Sequence, residues 1–365
     1  MKIAFYNVTA SFIPGGLETY CWEAGRALAR RGHDVTIVAG NRGQAWHDEV
    51  RLVQFPFRSE KEWPNFGVRF RRLAERLSFA YRSLEHLVQG NYDAVIVNKP
   101  FDFPILWRAR QSGLKATTLF RSGGTDFFPT DRWFANAVDL WVSASRYNAR
   151  QVTARYGRPV EAVHNGVDTD AFTPGRRNPE FRSRYARPDQ QLVVSVGRLV
   201  GWKGLRVVLE AMAGLSSTRY LIVGSGPEEA ALKAFAAQLG VSERVEFTGR
   251  VPHRDLPQLL AQCDVFVQPS IGEEAFGISV VEAMACGLPV LASDNGGLPE
   301  ILVDGSTGLL LPPGDIAAWR ARLADFAQDT GLTTRLGEAG RERAVSHFTW
   351  SANAARLETL LLGGR

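Results

Sequence analysis

Residues 192–224 read LVVSVGRLVGWKGLRVVLEAMAGLSSTRYLIVG. The run LVVSVG is short, apolar and β-branched, as befits a strand buried on both faces. GLRVVLEAMAGL then changes to a helical pattern, and RYLIVG returns to a strand. Strand, helix and strand in that order predict parallel strands joined by a crossover helix.

The alternation extends in both directions. Toward the C-terminus, RVEFTG, VFVQPS and PVLASD read as strands, and EEAALKAFAAQLG, DLPQLLAQC and ISVVEAMACG as helices. Toward the N-terminus the strands are KIAFYN, DVTIVAG, DAVIVN and KATTLF, and the helix LETYCWEAGRALARRG closes on Gly32. At 365 residues the chain is too long for one ordinary domain. The segment 164–180, HNGVDTDAFTPGRRNPE, interrupts the periodicity as a linker would. The expectation is α/β: two Rossmann-like doubly wound domains with a cleft between them. The first spans 1–165, the linker 166–180 and the second 181–345, before a last helix at 346–365. In such sheets ligands bind outside the carboxyl ends of the strands.

Composition removes other classes. Hydrophobic content of 45% and charged content of 22% exclude a disordered, collagen-like or coiled-coil chain. Cys21, Cys263 and Cys286 are scattered, which excludes a disulfide scaffold and points to a reducing compartment. No apolar run reaches the roughly 18 residues of a membrane span, and MKIAFYNV reads as a buried strand rather than a signal peptide. The net charge of +5 is uneven. Residues 1–175 hold 23 Lys and Arg against 17 Asp and Glu, whereas the remainder holds 20 against 21.

Three clusters carry chemistry. In GEEAFGISVVEAMACG (272–287) a polar turn precedes a helix starting near Gly277. Glu274 stands before that helix and Glu282 inside it, which sets them roughly 8–10 Å apart along its direction at the usual helical rise. A nucleoside diphosphate sugar has hydroxyls at both ends, so Glu274 suits the sugar and Glu282 the ribose. The amides of Gly277, Ile278 and Ser279 then face the phosphates. An acidic first turn favouring the helix dipole, with Glu282 solvated, would use the same residues. In VGRLVGWKG, Arg198 and Lys203 flank a glycine-rich strand-to-helix turn, a place to clasp a diphosphate as its charge grows. PGGLE (14–18) puts Gly15 and Gly16 at the first such turn, where bare amides also suit phosphate.

Other patterns lead elsewhere. Asp168-Thr169-Asp170 spells D-x-D but lies in the linker, where capping a turn is the expected role. The six histidines have no paired metal spacing, so no metal site is expected. Gly224-Ser225-Gly226 begins a dinucleotide fingerprint, but Glu229 stands where its third glycine belongs. No cofactor is called for; the nucleotide sugar is itself the donor substrate.

In sequence order, VGRLVGWKG, VGSGPE, EFTGRV, PSIGEEAFGISVVEAMACGLPVLASDNGGLPEIL and DGSTGLLLPPGD resemble the retaining glycosyltransferases of family four. The resemblance covers nearly the whole chain and is densest over 192–314. It implies the glycosyltransferase-B fold, with an N-terminal acceptor domain, a C-terminal donor domain and a last helix crossing back. It implies catalytic roles for Arg198, Lys203 and Glu274, a ribose contact at Glu282, and donor contacts at Gly15 and Gly16. It also implies amides near Arg250 and Val251 at the nucleobase, and amides of Phe276 and Gly277 at the sugar. The reaction implied is metal-independent transfer with retention, by front-side attack, the departing phosphate accepting the acceptor's proton. One departure stands out: the family's H-G-x-D-like turn is here FRSGGTDFF (120–128), without His, leaving Arg121 and Asp126 as the polar groups.

Residues 57–82 interleave Arg with aromatics. Phe66, Phe70, Leu73 and Leu77 recur at helical spacing, and Arg69, Arg71, Arg72 and Arg76 take the remaining surface. Such a helix lies on an anionic membrane or packs its stripe on the core. The expected partners are a nucleotide sugar, a glycan or lipid-linked acceptor and an anionic membrane surface; nucleic acid is not expected. The expected localisation is cytoplasmic, peripheral on the inner face of the membrane. The alternatives to transfer are a sugar-nucleotide epimerase of the same fold and a non-catalytic nucleotide-sugar binding protein.

Overall fold

The computed structural model describes residues 1–13, 15–175 and 178–363. Pro14 of the glycine turn, Arg176 and Arg177 of the expected linker, and Gly364 and Arg365 of the expected last helix lie outside the described residues. The chain forms two compact units. Residues 1–166 with the segment from Trp350 onward make the first, and Val167–Thr349 the second.

The first unit holds β1 (Lys2–Tyr6), β2 (Asp34–Gly40), β3 (Arg51–Phe55), β4 (Ala94–Val97), β5 (Thr117–Ser122), β6 (Leu140–Ser143) and β7 (Glu161–Ala162). Their order is β3-β2-β1-β4-β5-β6-β7, every pair parallel. Ile3 stands opposite Val35 on one side and Ala94 on the other. Successive strands leave β1 in one direction up to β3 and in the other from β4 to β7, so the topological switch lies between β1 and β4.

The second unit holds β8 (Gln191–Val196), β9 (Thr218–Val223), β10 (Val245–Gly249), β11 (Val265–Gln268), β12 (Val290–Ser293) and β13 (Leu309–Leu311). These too are all parallel, in the order β10-β9-β8-β11-β12-β13, with the switch between β8 and β11. Both sheets are covered on both faces, which is why their central strands read as unbroken apolar runs.

Helix ends follow local chemistry. The helix Gly16–Arg30 closes with Gly32 at φ +88°, whose N–H donates to Ala29 O while that of His33 donates to Leu28 O. That paired closure needs a left-handed residue just beyond the cap. The helix Trp350–Gly363 belongs to the first unit. Its Trp350, Ala354, Leu357 and Leu361 enter the same core as Tyr20 and Leu28, and Glu358 receives Arg31 and His33 at its surface.

The basic amphipathic segment turns its stripe outward, one of the two expected arrangements, and departs from expectation at Arg76. It forms the helix Val68–Gln89, but the residues it buries are Glu75, Arg76, Phe79, Ala80, Ser83 and Leu87. Phe66 is 75% exposed and Tyr81 80%, and Phe70 and Leu77 also face solvent. The apolar stripe is therefore not the core face. Arg76, expected on the surface, donates 2.6 Å bonds from Nη1 to both carboxylate oxygens of buried Asp102. A buried Arg is tolerated there because its charge is met by a carboxylate in the turn that follows β4.

Breaking that pair leaves an uncompensated buried charge. Asp102→Ala should lower the stability of the first unit by about 3–5 kcal/mol. Urea denaturation followed by circular dichroism should show the loss as a lower midpoint.

Candidate active site

The switch of the second sheet collects the chemistry. β8 ends at Val196 and leads through Gly197 and Arg198 to the short turn Gly201–Lys203, and β11 ends at Gln268 and leads to Ser270 and Glu274. Because β8 and β11 are hydrogen-bonded neighbours, the two loops emerge side by side. A small recess there is lined by Gly197, Arg198, Lys203 and Gln268.

Glu274 is buried, and three donors meet on its Oε1: Lys203 Nζ at 2.5 Å, Gln268 Nε2 at 2.8 Å and Ser270 Oγ at 2.9 Å. The carboxylate is thus held from one side by a cation and two neutral donors. Lys203 Nζ also lies 4.8 Å from the centre of the Trp202 ring. The turn carrying Lys203 depends on Gly204, at φ +66°, where a Cβ would fall 2.0 Å from Pro269 O. No other residue fits so close to a backbone carbonyl. Arg198 is exposed and its side chain makes no hydrogen bond or ion pair among the described residues, so two neighbouring cations are in different states. Lys203 is committed to a carboxylate and Arg198 is open.

Glu282 is also buried, which removes the solvated alternative. Its Oε1 meets His253 Nε2 at 2.7 Å, and the His253 ring lies 5.1 Å from that of Phe172. Sequence reasoning passed over His253. Its signal was its position two residues beyond Val251, in the loop leaving β10. Arg250 is exposed and donates from Nε to Ser225 Oγ at 2.8 Å, while Val251 is half-buried. The helix Ile278–Ala285 starts after Gly277 at φ +115°. Its first backbone bond runs from Val280 N to Gly277 O, so the amides of Gly277, Ile278 and Ser279 precede the helical ladder. Phe276 puts its ring into the unit's interior, 5.9 Å from Phe348. Only its backbone is left to face a ligand.

In the first unit, Gly15 is the N-cap of the helix Gly16–Arg30, and buried Glu18 accepts from Thr9 Oγ1 at 2.5 Å. Arg121 does not stand open to a ligand as the sequence reading had it. Arg121 is fully buried, with its guanidinium 3.8 Å from the centre of the Tyr20 ring and Nη2 donating to Asn165 Oδ1. It braces the end of β5 and offers no cation to solvent. Asp126 stays partly open to solvent. It receives Arg72 Nη1 at 2.9 Å and Lys99 Nζ at 3.1 Å, both on Oδ2. Asp168, by contrast, caps its turn, accepting from the amides of Asp170 and Ala171.

Comparison with known proteins gives this geometry a family. Residues 14–171 match the family described as Glycosyltransferase Family 4, and residues 177–343 the one described as Glycosyl transferases group 1. Over 98% of each chain, the protein is 31% identical to the GDP-mannose-dependent alpha-(1-6)-phosphatidylinositol monomannoside mannosyltransferase of Mycolicibacterium smegmatis. The chain belongs to glycosyltransferase family 4. It is a retaining glycosyltransferase with the glycosyltransferase-B fold. It is also 37% identical to the D-inositol 3-phosphate glycosyltransferase of Mycobacterium bovis, over 92% of this chain and 76% of that one. Among solved structures, sucrose-phosphate synthase from Thermosynechococcus elongatus superposes with a TM-score of 0.85 at 23% identity, covering 99% of this chain and 98% of that one.

The close approach at Gly204 gives a direct test of how Lys203 is placed. Gly204→Ala should destabilise the second unit by more than about 1 kcal/mol, from the left-handed backbone alone. A lower urea midpoint with weaker nucleotide binding is the expected result.

Proposed function

We propose that the enzyme moves a mannosyl group from GDP-mannose to a hydroxyl of an inositol-bearing phospholipid, with Arg198, Lys203 and Glu274 as the catalytic groups. The observation that carries the assignment of residues is the convergence of Lys203, Gln268 and Ser270 on one oxygen of buried Glu274, beside open Arg198. The choice of donor and acceptor rests on the full-length similarity to the mycobacterial mannosyltransferase.

The roles follow from chemistry. Arg198 and Lys203 bring positive charge to the diphosphate, where negative charge grows as the anomeric C–O bond breaks. Glu274 Oε1 is occupied by its three donors, which leaves Oε2 for donor-sugar hydroxyls. Glu282 takes the ribose hydroxyls, exchanging its bond to His253. The amides of Gly277, Ile278 and Ser279 meet phosphate oxygens at the positive end of a helix, and amides near Arg250 and Val251 meet the nucleobase. Gly15 and Gly16 supply further amides to the donor. The acceptor oxygen attacks the anomeric carbon from the face the diphosphate leaves. The bonding pair departs with the phosphate oxygen, and that oxygen takes the acceptor's proton.

The exposed stripe of Phe66, Phe70, Leu77 and Tyr81, with exposed Arg69 and Arg82 beside it, suits an anionic bilayer surface. Among the described residues no helix is long and apolar enough to cross a membrane. A peripheral position at the inner face of the cytoplasmic membrane fits a lipid acceptor.

Lys203→Ala and Glu274→Ala should each reduce turnover at least ~100-fold, the scale of losing one charge-stabilising group. The assay is transfer of labelled mannose to phosphatidylinositol in vesicles. Wild-type rates in both variants would overturn the assignment, and product formed without an acceptor would favour an epimerase. Phe70→Ser with Leu77→Ser should reduce co-sedimentation with phosphatidylinositol-containing vesicles while leaving nucleotide binding intact.

A further inference from the structure

The switch of the first sheet carries a second polar centre that the donor chemistry does not use. Lys99 lies two residues beyond the end of β4, and Asp126 in the loop that follows β5. Arg72 reaches them from the helix Val68–Gln89. Carboxyl ends of parallel strands beside a switch are where open α/β sheets bind ligands, and Lys99 stands at that place.

Its electrostatics are unusual. Arg72 Nη1 and Lys99 Nζ approach the same oxygen of Asp126, at 2.9 and 3.1 Å, and Arg72 also reaches Oδ1 at 3.1 Å. One carboxylate serves two cations. Arg76, on the same helix, is fully engaged by Asp102. Glu60, the other acid near Arg72, is exposed and 3.8 Å from its Nε. Burial pulls the Lys99 ammonium below its ordinary range, and Asp126 restores only part of the loss. The group is nevertheless reachable: the side chains of Lys99, Asp126 and Arg72 are 27%, 28% and 40% exposed.

We propose that Lys99 and Arg72 receive a phosphate group carried by the acceptor, at the crevice outside β1 and β4. This rests on the first unit being the acceptor unit of the proposed transferase. A guanidinium fork matches two phosphate oxygens, and an ammonium adds a point charge beside it. Asp126 holds both cations side by side before the ligand arrives, so little side-chain freedom is lost on binding. A neutral sugar acceptor would gain little from paired cations. The phosphate has two sources, a free inositol phosphate or the phosphodiester of a lipid headgroup, and both present the same oxygens.

Calorimetric titration of the full chain tests this with D-inositol 3-phosphate, with D-inositol, and with vesicles of phosphatidylinositol in phosphatidylcholine. The wild type should bind at least one phosphate-bearing probe. Its Kd should rise at least about 10-fold in Lys99→Gln and in Arg72→Gln, the scale of one charge-assisted hydrogen bond. Arg108→Gln, an exposed cation of the same unit, should leave it unchanged, and excess inorganic phosphate should compete. Binding of vesicles alone assigns a lipid phosphodiester, and binding of the free compound assigns a soluble phosphate; either supports the site. Unchanged affinity in both variants overturns it, as does D-inositol binding as tightly as its phosphate, or no binding of either phosphate probe. The thermal shift produced by GDP or UDP reads the donor site separately and should be equal in all variants. A nucleotide shift kept alongside unchanged acceptor affinity sinks this site and leaves the transferase reading standing. A wild type with no nucleotide shift counts against the transferase reading, whereas weaker phosphate binding in the two variants still supports the site.

Discussion

Every ladder in both sheets is parallel, and parallel strands cannot be joined by a tight hairpin. Each connection must cross back over a face of the sheet before the next strand starts. All carboxyl ends within one sheet therefore lie on the same edge, and a gap opens where the crossovers change direction. The order β10-β9-β8-β11-β12-β13 puts that gap between β8 and β11, and Lys203 and Glu274 come from the two loops beside it. The first sheet repeats the arrangement between β1 and β4, with Lys99 at the corresponding place. Two chemically different centres thus follow from one rule of chain geometry.

Charge is wholly or partly buried at both centres, and it is tolerated because a partner comes from another element. Glu274 is met by Lys203, Glu282 by His253, Asp102 by Arg76 and Asp126 by Arg72 and Lys99. Such pairs add little net stability, since desolvation offsets most of the attraction. What they provide is position. A carboxylate with three donors on one oxygen cannot turn freely, and a ligand meets it already oriented.

The core strands were readable because a strand covered on both faces must be apolar throughout. KIAFYN, DAVIVN, LVVSVG and VFVQPS announce themselves on that ground. Four strands did not. Arg51–Phe55 is an edge strand, partly open to solvent; Glu161–Ala162 and Leu309–Leu311 are too short for a periodicity to register, and Leu140–Ser143 went unread although it is as long as Ala94–Val97. The candidate site residues Arg198, Lys203, Glu274 and Glu282 stood out by residue type and by glycine spacing around strand-to-helix turns. His253 was not, because its significance comes from Glu282, 29 residues away. The helix at 68–89 left two arrangements open. Its apolar spacing was real, but spacing alone does not say which face meets the core, and the buried face includes Glu75 and Arg76.

Local sequence was sufficient for the doubly wound class, for its division into two halves, and for the polar residues at the carboxyl ends of strands, since these depend on periodicity and turn chemistry within a few residues. Tertiary structure alone decided which charges are paired. Arg76 is buried and Arg198 open, Arg121 is shielded by Tyr20 and Asn165, and Asp126 holds two cations. Those outcomes depend on residues tens of positions apart that parallel crossovers bring to one edge, and the Coulomb and desolvation energies that settle them depend on distance and burial, which no local pattern encodes. The surplus of positive charge in residues 1–175 is visible in the composition, but that Arg72 and Lys99 share one carboxylate exists only in the fold.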